Sequence, residues 1–101
     1  YLLDNNVHIN GIIIAELIQG IKNNKDKEAV LGGIDAVPYI EFTYEDWLLA
    51  GDLSNELRKK GLTIPLTDIA TAAVAINNNM SVFTLDKHFE HIPGVKLCMQ
   101  Y

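Results

Sequence analysis

Apolar residues occur along this chain in two spacings, compact runs that suit buried strands and three-to-four-residue repeats that suit helices. The run Tyr1-Leu2-Leu3, closed by Asp4-Asn5-Asn6-Val7, predicts a buried strand over residues 1–7. Residues 12–22 place Ile13, Ile14, Leu17, Ile18 and Ile21 at helical spacing, with Asn10 positioned as the cap. The polar stretch Asn23 to Lys27 precedes a weaker helix through Val30 and Leu31, which Gly32-Gly33 should break. Val37 to Phe42 reads as a strand. Thr43 then caps an amphipathic helix through Lys60, with Glu45 or Asp46 in its first turn and Gly61 as its stop. Thr67 or Asp68 should open the next helix, which ends at Asn77-Asn78-Asn79. Strands at 81–85 and 95–99 finish the chain, joined by His88–Ile92 and the Pro93-Gly94 turn.

Strands alternating with helices predict one domain of α/β class. The expected architecture is a three-layer α/β/α sandwich around a mostly parallel sheet of four or five strands. One junction resists this plan. If His8-Ile9-Asn10 is a second strand parallel to the first, a crossover of about a dozen residues or more must separate them. Val7 is instead followed directly by His8, and the chain opens on Tyr1 without an initiator methionine. The expectation is that the full polypeptide carries further residues, an N-terminal Met and a loop or helix between Val7 and His8.

Composition narrows the class. At 101 residues, 49% hydrophobic and 21% charged, the chain should fold as a single globular unit. No apolar run approaches the roughly 18 residues of a membrane span. Cys98 is the only cysteine, so no intrachain disulfide is possible, and a reducing cytoplasm is expected. A net charge of −5 argues against binding nucleic acid over the whole surface. It leaves room for a nuclease, because clustered active-site carboxylates count as negative until a cation occupies them.

Four carboxylates fall at strand ends or helix starts: Asp4, Glu16, Asp68 and Asp86. Each has an ordinary explanation. Asp4 can cap the element that follows, and Glu16 can reach solvent from a helix boundary. Asp68 suits a helix N-terminus, and Asp86 suits a turn. Together they gain weight, because open α/β sheets bind ligands outside the carboxyl ends of their strands. Carboxylates gathered there repel one another unless a cation neutralises them. Magnesium or manganese accepts such oxygen ligands and keeps several waters. The predicted chemistry is hydrolysis by a metal-activated water.

At these residues the chain resembles the PIN-domain family, specifically the VapC-type toxins of bacterial and archaeal toxin–antitoxin pairs. Leu2-Leu3-Asp4-Asn5-Asn6-Val7 is similar to the family's opening L-D-x-N-V strand, and Ala15-Glu16-Leu17 to its A-E-L helix. Ile64-Pro65, Asp68 and Ala72-Ala73 resemble its I-P…D-x-x-I-A-A segment, with Thr71 where isoleucine is common. Thr84-Leu85-Asp86-Lys87-His88-Phe89 resembles its T-x-D-x-D-F end, with His88 in place of a frequent second Asp. The resemblance spans essentially the whole chain. It implies an Mg2+- or Mn2+-dependent endoribonuclease whose metal site is Asp4, Glu16, Asp68 and Asp86. It also implies a homodimer, an RNA substrate, and a cognate antitoxin protein that blocks the active site.

Other readings stay open. A phosphoacceptor signalling domain wants a lone acceptor Asp on a central strand and a Lys on a late one, which Asp86-Lys87 imitates poorly. A non-catalytic interaction module would keep the fold and bind no metal. His88 and His91 stand three apart beside Asp86, a spacing a transition metal can use, but no further histidine or cysteine is placed to join them. Arg58-Lys59-Lys60 fits a helix C-terminus as well as an RNA contact. Trp47, Leu48, Leu53 and Leu57 read as core or dimer surface; Tyr39, Ile40 and Phe42 read as strand core.

Overall fold

The computed structural model describes residues 8–82 and 87–97, apart from the side chain of His88. The expected strand over 1–7 and the ends of the two C-terminal strands lie outside the described residues, as do Asp4 and Asp86. The described residues form two compact units, residues 8–41 and residues 42–97.

In the first unit, helix α1 spans Gly11–Gln19. Asn10 caps it as its sequence predicts, its side-chain oxygen accepting from the Ile13 N–H at 3.0 Å. Helix α2 spans Asn24–Asp35. It starts inside the stretch expected to be loop and runs straight through Gly32-Gly33. The cause is local: Asn23 Oδ1 accepts from the Asp26 N–H at 2.8 Å, and Asn23 Nδ2 donates to Asp26 Oδ2 at 3.0 Å. Such a start offsets two glycines, which cost about 1 kcal/mol each but forbid nothing. The strand expected over Val37 to Phe42 is reduced to one parallel bridge, Ile9 to Tyr39. Ile9 N–H donates to Pro38 O at 2.9 Å, and Ile40 N–H donates to Ile9 O at 2.8 Å. Pro38 has no N–H to extend the ladder. Tyr39 is half exposed, contrary to its expected place in the core.

In the second unit, helix α3 spans Tyr44–Lys59 and carries the predicted start in full. Thr43 Oγ1 accepts from the Asp46 N–H at 3.2 Å, and Asp46 Oδ2 accepts from the Thr43 N–H at 2.9 Å. Thr43→Ala should cost about 1 kcal/mol in urea denaturation; an unchanged midpoint would show that the capping box contributes nothing. Gly61, at φ +81°, stops the helix in the left-handed conformation that favours glycine. Helix α4 spans Leu66–Asn77 and begins two residues earlier than Asp68, with Pro65 at the cap position. Proline has no side-chain oxygen to accept from the first turn, so no side-chain cap is present.

Helices α3 and α4 pack together. Ala50, Leu53 and Leu57 are buried on α3; Ile69, Ala70, Ala72, Ala73, Val74 and Ala75 are buried on α4. Leu57, only 1% exposed, is among the largest fully buried side chains of this unit, with Ile69 and Val74 of α4. Strands β1 (Ser81–Val82) and β2 (Lys96–Leu97) pair in parallel, Ser81 with Lys96 and Val82 with Leu97. A 3-10 turn at Lys87–His91 lies in the connection, which is long enough for a parallel crossover. The expected parallel character thus holds for the strands described.

Candidate functional site

Asp68 occupies the third position of α4. Its backbone N–H donates to Pro65 O at 3.1 Å, tightening the first turn, and its side chain is half-buried. The turn is held from below by buried Ile69 and Ala70, and from the preceding loop by buried Ile64. Glu16 lies midway along α1 in the other unit and is exposed. No residue of α1 is buried, so the helix presents Glu16 to solvent although isoleucines surround it in sequence. Asp4 and Asp86 fall outside the described residues, so the structure places two of the four predicted site residues.

Another carboxylate proves structural. Asp46 is 1% exposed, and both its oxygens are engaged. Oδ2 takes the Thr43 N–H, while Oδ1 accepts from Asn77 Nδ2 at 2.7 Å, tying the start of α3 to the end of α4. With its bonding filled, Asp46 is not a free ligand. The T-x-x-D spacing at 43–46 announced the first bond; nothing local announced Asn77, which is 31 residues away.

The chemistry of the donor set fits a hard divalent cation. All four predicted residues offer carboxylate oxygen, which magnesium and manganese prefer, and none offers sulfur or imidazole. Among the described residues no group of three or more His, Cys, Asp or Glu is placed to hold a metal. His91 is exposed and belongs to no such group.

The large apolar residues of α3 divide. Leu53 and Leu57 are buried, whereas Tyr44, Trp47 and Leu48 are each about half exposed or more. They recur at i, i+3 and i+4, and so share one face. Phe42 stacks on Trp47 with ring centroids 4.6 Å apart and an interplanar angle of 27°.

Known proteins resemble this chain in sequence and fold. Ribonuclease VapC2 of Rickettsia felis is 32% identical over 99 residues, spanning 93% of this chain and 74% of the relative. A crystal structure of VapBC2 from Rickettsia felis, bound to a DNA fragment from its promoter, matches with a TM-score of 0.77 and 31% identity, covering 93% of this chain and 74% of that one. The DNA-bound VapBC of Salmonella typhimurium matches with a TM-score of 0.80 and 26% identity, covering 88% and 71%. The PIN-domain family model matches residues 2–95, a span that contains Asp4, Glu16, Asp68 and Asp86 together, and the chain belongs to that family.

Proposed function

We propose that the protein is an endoribonuclease of the VapC type, the toxin of a toxin–antitoxin pair, which hydrolyses RNA phosphodiester bonds with the help of magnesium or manganese. The observation that carries this reading is the family match, which encloses all four carboxylates and extends across a relative named as a ribonuclease. Asp4, Glu16, Asp68 and Asp86 would hold the cation. When bound, the ion supplies the positive charge that activates water and stabilises developing charge on the phosphoryl oxygens. The chain's own contribution is to hold carboxylates at fixed points and, at Asp68, to do so on a turn anchored in the core. On this reading the chain is one domain, a three-layer α/β/α sandwich with a four- or five-stranded sheet.

Incubation with RNA should give cleavage in magnesium or manganese and none in excess chelator. Equal cleavage under both conditions would refute the metal-dependent mechanism. Absence of cleavage in either would favour the non-catalytic module.

The partners follow from the same family reading. The solved relatives from Rickettsia felis and Salmonella typhimurium are VapBC complexes, so the proposed partner is a small antitoxin that covers the acidic site. No helix among the described residues is long and apolar enough to cross a membrane; the cytoplasm, where RNA is met, is the proposed location. A homodimer through the Tyr44, Trp47 and Leu48 face would bury the exposed apolar surface of α3. Light scattering should then give twice the chain mass, and Trp47→Asp with Leu48→Asp should halve it. A wild-type monomer at micromolar concentration would eliminate the dimer.

A further inference from the structure

Three consecutive cations, Arg58, Lys59 and Lys60, close α3, and Arg58 is the only arginine in the chain. At a helix C-terminus such residues ordinarily complement the dipole and bond the last carbonyls. Here the backbone already satisfies two of those carbonyls. Gly61 N–H donates to Arg58 O at 3.0 Å, and Leu62 N–H donates to Leu57 O at 2.9 Å, the paired bonds of a Schellman end. All three cationic side chains are exposed. Among the described residues Arg58 and Lys59 have no ion-pair partner. Lys60 reaches Glu56 at 3.9 Å, an exposed i,i+4 pair of little worth.

The helix pair fixes where this charge stands. The hydrogen bond from Asn77 to Asp46 joins the end of α4 to the start of α3, so the helices run antiparallel. The cations at the end of α3 therefore share an end with the first turn of α4, where Asp68 lies. Residues 60–65 are all that separates the end of α3 from the start of α4, so one short loop joins the basic end to the turn that carries Asp68.

We propose that Arg58, Lys59 and Lys60 grip the sugar–phosphate backbone of single-stranded RNA beside the bond cleaved at the Asp68 site. The inference rests on the ribonuclease reading above. A chain of net charge −5 repels RNA at long range, so the phosphates flanking the scissile bond need local cations. Arginine adds the planar fork that pairs bidentately with phosphate oxygens.

The test uses the full chain and a labelled single-stranded RNA oligonucleotide, with binding read by fluorescence polarisation across a salt series in chelator. The variant Arg58→Gln/Lys59→Gln/Lys60→Gln should bind about tenfold or more weakly at low salt. Its slope of log affinity against log salt should be shallower by about 2, since each single-strand phosphate contact contributes about 0.7. The charge-preserving variant Arg58→Lys/Lys59→Arg/Lys60→Arg should retain most of the binding and the slope. Thermal melts check that all three proteins are folded. An unchanged slope in the Gln variant overturns the proposal, whatever its affinity. So does a Gln variant that keeps RNA binding but loses binding to an acidic polyglutamate peptide, which would assign the cations to a protein partner. Wild-type protein that binds RNA through these residues yet never cleaves it in magnesium or manganese would defeat the ribonuclease reading and leave the RNA grip standing.

Discussion

Replacing Asp68 by Asn should lower metal-dependent RNA cleavage by about a hundredfold or more, the scale of losing one charge-stabilising group in an active site. Asn keeps the size of the side chain and removes the negative charge a divalent cation needs. The turn that carries the residue is anchored by Pro65 and by buried Ile64, Ile69 and Ala70. The variant should therefore remain folded, with a single cooperative melt. Initial rates on a labelled RNA, with circular dichroism melts of both proteins, make the comparison. A folded Asp68→Asn protein that cleaves at the wild-type rate would remove Asp68 from the site. Glu16→Gln should act in the same direction, because Glu16 is exposed on a helix with no buried residue and has no evident packing role. An unchanged rate there would make Glu16 a simple boundary residue.

The largest stability effect outside the apolar core should come from Asp46. Asp46→Ala removes the acceptor of the Thr43 N–H and the acceptor of Asn77 Nδ2 in one step. The bond from Asn77 contributes about 1.5–3 kcal/mol as a hydrogen bond to a carboxylate, and loss of the capping interaction costs about 1 kcal/mol, so a net loss of about 3 kcal/mol is expected. Most of a small domain's stability is only 5–15 kcal/mol, so the unfolding midpoint in urea should fall steeply. A double-mutant cycle with Asn77→Ala separates the interhelical bond from the cap, since contacting pairs couple and distant ones add. Strict additivity would show that the 2.7 Å bond between Asp46 and Asn77 contributes nothing.

What the sequence determined by itself was local. Asn10 and Thr43 announced two helix starts because a side-chain oxygen three residues before a backbone N–H is a short-range interaction, complete within one turn. Gly61 announced a stop for the same reason, since only a left-handed residue closes the Schellman bonds. The family was legible too, because four short motifs in a fixed order carry meaning that no single carboxylate has, and the family match confirms that reading. Local signals also misled where two competed. Gly32-Gly33 signalled a break, yet α2, started by the Asn23 cap, continues through them.

Burial was decided only by the tertiary structure. Tyr39, Trp47 and Leu48 are as apolar in sequence as Leu53 and Leu57, yet the first three are about half exposed and the last two are buried. Periodicity gives the angular position of a side chain on its helix, but not which angle another element will cover. Asp46 shows the converse. An acid in a first turn ordinarily faces water, and it is buried here because Asn77, distant in sequence, arrives to satisfy its second oxygen. Desolvating a charge is tolerable only when its partners are assembled, and the antiparallel packing of α3 on α4 is what assembles them.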